Sequence, residues 1–376
     1  MKKFVNRLSD EQLLRRKTPR QEDARGQYFR DTTAIIHSYP FRRLKHKTQV
    51  FFSPKNDHIC TRIEHVMHVA SIAAAICRGL DLDPDLAWAI GLGHDLGHTP
   101  FGHVGEHIIN ELKASQGGFI HELYSLRVVD HLSNYGKGMN LTYAVRDGIA
   151  NHCGEKFEQS IIPDFTEKEL ENIGARDQYP STWEGAVVRM ADKIAYLGRD
   201  VEDAVQLKII EKSAIPEDAR QILGTSNSEI INTLVTDVIS SSKATGKIGF
   251  SDEVFRAMVI LKEFNYKNIY LNPLLANYHR YFERILSAIF TYLVEIFEMY
   301  GFEQEEYRKE QNLVAVRYGD YACKMRDFYE QHDGGYAEMP FDYLVGMTDG
   351  YALECASEIM IPKKMEHEFD SFLLGN

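Results

Sequence analysis

Apolar residues recur three and four positions apart along most of the chain, as in Ile63, Val66, Val69, Ile72, Ala73, Ile76 and Leu80, while strict apolar/polar alternation is rare. The pattern predicts an all-α protein. Beyond the helix carrying those residues, the spacing predicts helices over about 121–134, 141–152, 184–206, 228–242, 252–267, 274–300, 317–331 and 340–358. Punctuation agrees: Asp83-Pro84 reads as a helix start and Gly79 as a stop just before it. Gly117-Gly118 and the polar stretch from Gly154 to Thr182 read as exposed loops. The most apolar run, Ile285 to Phe297, contains Ser287, Thr291 and Glu295 and falls short of a ~20-residue span, so a buried helix is expected and no membrane partner.

Composition narrows the class. A chain of 376 residues, 44% hydrophobic and 26% charged, is neither disordered nor fibrous. Its net charge of −12 repels polyanions as a whole, yet residues 1–50 hold 13 Lys/Arg against 5 Asp/Glu. That basic stretch reads either as a solvated arm or as a strip for anionic ligands. Cys60, Cys77, Cys153, Cys323 and Cys355 are widely spread and form no CxxC pair, so free thiols in a reducing cytoplasm are expected. The first residues reach charged sequence before an apolar signal region forms, so no secretion signal is read.

Histidine is the uneven residue: 12 of 15 fall between His37 and His152. Within that window lie TRIEHVMHVASIAAA, GLGHDLGHTPFGHVGEH and GFIHELYSLRVVDHL, and RMADKIAYLGRD follows. His94-Asp95 offers an imidazole and a carboxylate at a helix end between Gly93 and Gly97, which permit close backbone approach. With His65 and Asp192 they make two imidazoles and two carboxylates, a set suited to Mn²⁺, Fe²⁺, Mg²⁺, Co²⁺ or Ni²⁺ rather than to a thiolate zinc site. His98 follows His94 by four positions and shares its face if the helix continues. His103 and Glu106 stand at i, i+3, so the carboxylate can orient the imidazole as a proton donor, and His121 beside Glu122 opens another helix.

These motifs, with YFRDTTAIIHSYPFRRLKHKTQVF upstream and LKEFNYKNIYLNP downstream, keep from about residue 20 to 275 the order seen in one family. The sequence resembles the HD-domain deoxynucleoside triphosphate triphosphohydrolases, which include bacterial dGTPase-like proteins and the animal deoxynucleotide-depleting enzyme. The resemblance implies a helical HD fold, with a basic segment over 1–60 packed on the core and an HD core over 61–210; additional C-terminal helices, in a region over 211–376 continuous with the core, rest beyond about residue 275 on the helical pattern alone. It implies hydrolysis of a dNTP to deoxynucleoside and inorganic triphosphate, with one divalent metal on His65, His94, Asp95 and Asp192. His98, His103, Glu106 and His121 would lie beside the triphosphate, with His103, backed by Glu106, as the acid. Arg62 and Lys193 match phosphate contacts. Gln49 and Asp200 match groups holding the 3′-hydroxyl, Tyr196 lies against the sugar, and Tyr270 is a further sugar-pocket candidate. It also implies a homo-oligomer, tetramer or hexamer, a dNTP effector as in some members, and single-stranded nucleic acid as a partner the basic arm could serve.

Two departures stand out. Bacterial members commonly have RLTH where this chain has Arg62-Ile63-Glu64-His65, and Leu271-Asn272 follow Tyr270 where a basic residue is frequent. Competing readings keep the metal and change the substrate, to a nucleoside monophosphate or guanosine tetraphosphate, or drop catalysis for nucleotide sensing. Cyclic-dinucleotide hydrolases carry a GYP signature absent here, and a sensor would have lost metal or proton-transfer residues, none of which is replaced.

Overall fold

Helix starts follow the capping chemistry of the sequence in this computed structural model, which describes residues 4–361 apart from 22, 53–55, 155, 175–177 and 333–334. The N-terminal segment holds α1 (Asp10–Leu13), α2 (Gln27–His37) and α3 (Tyr39–Arg43). The centre comprises α4 (Arg62–Gly79), α5 (Pro84–Gly93), α6 (Gly102–Leu112), α7 (His121–Arg127), α8 (Tyr143–Ala150) and α9 (Trp183–Gln206). Then come α10 (Glu217–Leu223), α11 (Asn227–Thr245), α12 (Asp252–Asn265), α13 (Pro273–Tyr300), α14 (Leu313–Gln331), α15 (Met339–Val345) and α16 (Asp349–Met360). The fold is all-α. Two short strands, β1 (Ser160–Ile161) and β2 (Ile248–Gly249), pair antiparallel.

Thr61 and Glu64 form a reciprocal capping box at the start of α4, with Thr61 N–H donating to the Glu64 carboxylate at 2.8 Å. Asp83 accepts from Asp85 N at 2.9 Å ahead of Pro84 in α5, and Thr182 accepts from Gly185 N at 3.1 Å in α9. These three helices form the centre: α4 packs on α5 and α9, and α5 also on α2 and α8. Their contact is close. A Cβ on Gly91 of α5 would lie 2.6 Å from Ala70 Cα of α4, so a side chain there would push the two helices apart.

Several expectations are corrected. The periodic run over 121–134 is α-helical only to Arg127; a wider π turn over Val128–Leu132 follows, and Ser133 Oγ donates to Val128 O at 2.7 Å. The run over 340–358 breaks into α15 and α16, because Thr348 caps a new helix by accepting from Tyr351 N at 3.2 Å. Ile285 to Phe297 lies within α13 but buries one face only, with Leu286, Ile289 and Leu293 inside and Thr291 and Glu295 exposed. The described part of the stretch from Gly154 to Thr182 is largely irregular and exposed, as at Ile162 and Glu169, but it is anchored: Ile161, Leu170 and Ile173 are buried, and Ser181 N donates to the buried Asp147 at 2.6 Å. Helix α2 gave no apolar stripe because polar Arg30, Asp31 and Thr32 occupy buried positions, where Asp31 takes Arg16 and Thr142. Much of the basic stretch is likewise spent inside the chain, Arg16 on Asp31, Arg30 on Asp23 and Lys17 on Asp130 and Glu171. No helix among the described residues is long and apolar enough to cross a membrane.

Candidate active site

One tight turn assembles most of the chemistry. Helix α5 ends at Gly93, His94 is its C-cap, and residues 94–101 turn away instead of continuing the helix, which corrects the shared-face expectation for His94 and His98. The turn lies directly on α7. A Cβ on Gly97 would sit 2.3 Å from Ser125 N and 2.5 Å from the Tyr124 carbonyl carbon, a contact with backbone that cannot yield. Phe101 then adopts a left-handed conformation at φ 63° to start α6, a strained choice for an aromatic residue. It is held from two sides: its N–H donates to Asp349 Oδ1 at 2.9 Å, and its ring stacks on Phe282 at 4.0 Å.

His65 from α4, His94 and Asp95 from the turn, and Asp192 from α9 meet. His65 Nε2 lies 3.1 Å from Asp192 Oδ1 and 3.9 Å from Asp95 Oδ2, and His94 Nε2 lies 3.8 Å from Asp95 Oδ2 and 4.0 Å from Asp192 Oδ1. Ligands about 2.1 Å from a common divalent ion stand roughly 3.0–4.2 Å apart, so the spacing fits one. His94 Nδ1 is fixed on Gly91 O at 2.7 Å, which directs a lone pair onto Nε2, and that buried atom has no hydrogen-bond partner. Burial lowers the His94 pKa to about 4, keeping the ring neutral as a ligand must be. Although burial opposes ionisation of Asp95, the adjoining Arg62 guanidinium and the surrounding imidazoles hold its carboxyl well below the usual range.

A second cluster shares Asp95. Its other oxygen, Oδ1, lies 3.9 Å from His121 Nε2. Glu106, on α6, is the hub here: His121 Nδ1 meets its Oε1 at 2.8 Å, while His98 Nε2 and His103 Nδ1 each lie 3.7 Å from Oε2. The carboxylate therefore orients His121 more closely than His103, the reverse of the emphasis drawn from i, i+3 spacing. Burial works against charge on His121, yet Glu106 and Glu122 raise its pKa to about 10. Burial, aided by Arg62, lowers that of His98. The His103 side chain is 62% exposed and faces the cleft.

Asp200, two turns along α9 from Asp192, accepts from Tyr270 OH at 2.5 Å, and burial lifts its carboxyl to about 6. Gln49 is buried with its Oε1 unpartnered, and Tyr196 is half-buried on α9. Two expected phosphate contacts are engaged elsewhere. Arg62 is buried, pairing with Asp95 and donating to the carbonyls of Thr48 and Gln49, and Lys193 pairs with Glu158 at 2.5 Å. A cleft of about 980 Å³ adjoins the cluster through His103 and Tyr270 and is otherwise walled mostly by apolar groups such as Val50, Phe52 and Leu275.

Three residues escaped sequence reasoning. His152 is buried with its Nε2 3.3 Å from His121 Nε2 and its ring 4.7 Å from that of His94; it belonged to the histidine-rich window but to no motif. Lys47 is buried and donates to His98 O and, at 2.8 Å, to Val345 O. Asp349, in the first turn of α16, accepts from Thr48 N at 2.9 Å, Thr48 Oγ1 at 2.5 Å and Phe101 N.

Residues 62–197 match the family model described as HD domain. The chain is 38% identical over 340 residues to a "Deoxyguanosinetriphosphate triphosphohydrolase-like protein" of Caldanaerobacter subterraneus subsp. tengcongensis, covering 90% of this chain and 86% of that protein. A protein of the same name from Desulfatibacillum aliphaticivorans is 37% identical, with 91% and 89% covered, and one from Clostridium tetani is 34% identical, with 91% and 88% covered.

Proposed function

This chain belongs to the family of deoxyguanosinetriphosphate triphosphohydrolase-like proteins, HD-domain phosphohydrolases, and from that premise we propose that it hydrolyses deoxynucleoside triphosphates to deoxynucleoside and inorganic triphosphate. One observation carries the reading. The Asp95 carboxylate joins two clusters, one oxygen facing the ligand-like His65 and His94 and the other facing His121 with its Glu106 partner. A phosphorus atom at that junction meets activation and charge neutralisation together.

His65, His94, Asp95 and Asp192 hold a divalent cation, Mn²⁺, Mg²⁺, Fe²⁺, Co²⁺ or Ni²⁺, since mixed imidazole and carboxylate donors suit all five. When bound, such an ion polarises the α-phosphate and eases deprotonation of the attacking water. The chain supplies the rest. His121, kept cationic by Glu106 and Glu122, neutralises phosphate charge. The departing 5′-oxygen needs a proton, and His103, at the cleft and within reach of Glu106, donates it; such help is typically worth ~10²–10⁴-fold. Asp200, steadied by Tyr270, accepts from the 3′-hydroxyl, the Gln49 amide donates to the oxygen of that hydroxyl, and Tyr196 lies along the sugar. Lys193 pairs with Glu158 and Arg62 with Asp95, and each keeps further N–H groups with which to meet phosphate. Five free cysteines fit a reducing cytoplasm.

The test is product identity. Purified protein with Mn²⁺ or Mg²⁺ is given each dNTP singly and then all together, and the products are separated by ion exchange. Deoxynucleoside with tripolyphosphate supports the reading; monophosphate with pyrophosphate, or orthophosphate, refutes it.

A further inference from the structure

A second cavity, of about 570 Å³, lies behind the metal-binding turn, between α3 and the C-terminal helices. Its volume is within the range of about 300–1,000 Å³ spanned by small-molecule sites. Tyr39, Tyr124, Tyr321, Tyr343 and Tyr351 line it, and Leu96, between Asp95 and His98 in the chain, forms part of the wall. The tyrosine hydroxyls are largely occupied among themselves or by acid: Tyr343 OH meets Tyr351 OH at 2.7 Å, Tyr321 OH meets Tyr329 OH at 2.8 Å, and Tyr124 OH donates to Asp342. What they leave facing the space is ring surface.

Two cations stand in that wall and they differ. Arg317 lies 3.4 Å from Glu354 and over the ring of Tyr351. Arg43, the last residue of α3, is partly buried and makes no ion pair and no hydrogen bond among the described residues. The carboxylate in the same wall, Asp342, is gripped by Arg127 at 2.9 and 2.6 Å and by the hydroxyls of Tyr124 and Tyr329, and does not serve Arg43. Burial lowers the Arg43 pKa, as for a partly desolvated guanidinium with no acid beside it. Such a group weakens the folded state, and side chains that do so are characteristic of binding sites rather than of scaffolding.

We propose that this cavity binds a phosphomonoester carrying a flat aromatic group, a nucleoside monophosphate being the common example, with the phosphate on Arg43 and the base against the tyrosines. The guanidinium fork matches phosphate oxygens, and aromatic rings stack on bases of any sequence. The charge count favours a monoester: one unpaired cation offsets half or more of its roughly −1.5 to −2, and only about a quarter of the charge on a triphosphate, which is about twice as large. The ligand would touch Leu96 and Val345, whose neighbours carry the metal pair and whose carbonyl accepts from Lys47, so occupancy is felt at the turn.

The test is calorimetric titration of the full chain in EDTA with dAMP, inorganic phosphate and deoxyadenosine in turn. The expected result is one dAMP per chain, with phosphate alone and nucleoside alone at least ~10-fold weaker. Arg43→Gln weakens dAMP at least ~10-fold, while Asp192→Asn, in the other site, leaves it unchanged. Absence of saturable dAMP binding, undiminished binding by Arg43→Gln, loss in Asp192→Asn, or phosphate binding as tightly as dAMP each overturns the proposal. Thermal unfolding without ligand gives an independent reading: Arg43→Met melts at or above the wild type, and a marked fall would reveal a structural partner and end the argument. Neither experiment reads turnover, so their failure leaves the hydrolase reading intact.

Discussion

Replacing Asp349 by alanine tests whether the C-terminal helices hold the active site together. The buried carboxylate accepts from Thr48 N and Phe101 N, each at 2.9 Å, and from Thr48 Oγ1. Alanine leaves two buried backbone N–H groups unmet; at ~1–3 kcal/mol each the loss is about 2–6 kcal/mol. Unfolding entropy for a chain of this length is about 0.8 kcal/mol/K, so the melting temperature falls by roughly 3–8 °C. Asparagine keeps one acceptor and costs about half as much. The functional effect is selective, because Thr48 precedes Gln49 and Phe101 precedes the helix bearing His103 and Glu106, whereas His65, His94, Asp95 and Asp192 do not touch Asp349. Calorimetry, metal analysis and steady-state kinetics on the folded Asn variant should therefore show metal retained and kcat reduced. A variant that melts within a degree of wild type, or one that loses its metal before its turnover, would refute this coupling.

Three further outcomes follow from the site. Burial raises the Asp200 pKa from about 3.8 to about 6, so the folded state keeps a proton that the unfolded chain has released. That preference stabilises the fold below about pH 4 and is lost as pH rises through 6, by roughly 3 kcal/mol. Relative to Asp200→Asn, the wild type should lose about that much between pH 4 and pH 7 in urea unfolding; a pH-independent difference would contradict the assignment. Gln49→Ala removes an amide whose Oε1 has no partner in the free protein, so stability changes little while KM for a dNTP rises about 10-fold; unaltered kinetics with lower stability would reverse that assignment. His94→Ala leaves the buried Gly91 carbonyl without its side-chain partner, a cost of about 1–3 kcal/mol, and should stay folded while its metal content by mass spectrometry falls to background. Full metal occupancy in that variant would exclude His94 as a ligand.

The helical class and most long helices were legible because an apolar face recurring every 3.6 residues marks them; α9 and α13 begin within a residue of where the spacing puts them. Boundaries set by side-chain capping were not, as Thr348 shows by splitting one periodic run in two. Helix α2 was hidden for the opposite reason, since its buried side carries Arg30, Asp31 and Thr32 and binds the core through ion pairs. At the site, residues in motifs could be named before the fold was seen, and the structure brings His65, His94, Asp95 and Asp192 within 3.1–4.0 Å contacts. Lys47, His152 and Asp349 act through contacts spanning 31 to 301 positions, and no local spacing encodes those. Glu158 is similar: the resemblance offers Lys193 as a phosphate contact, and only the fold shows its carboxylate partner.

In the proposed hydrolysis, water attacks the α-phosphorus beside the four-residue centre while a histidine releases the 5′-oxygen. Hydrolysis of a dNTP in ¹⁸O-labelled water, followed by mass spectrometry of both products, tests this directly. The label should appear on an end phosphorus of the tripolyphosphate, with the deoxynucleoside unlabelled. Label on the nucleoside 5′-hydroxyl, or on released orthophosphate, would contradict it.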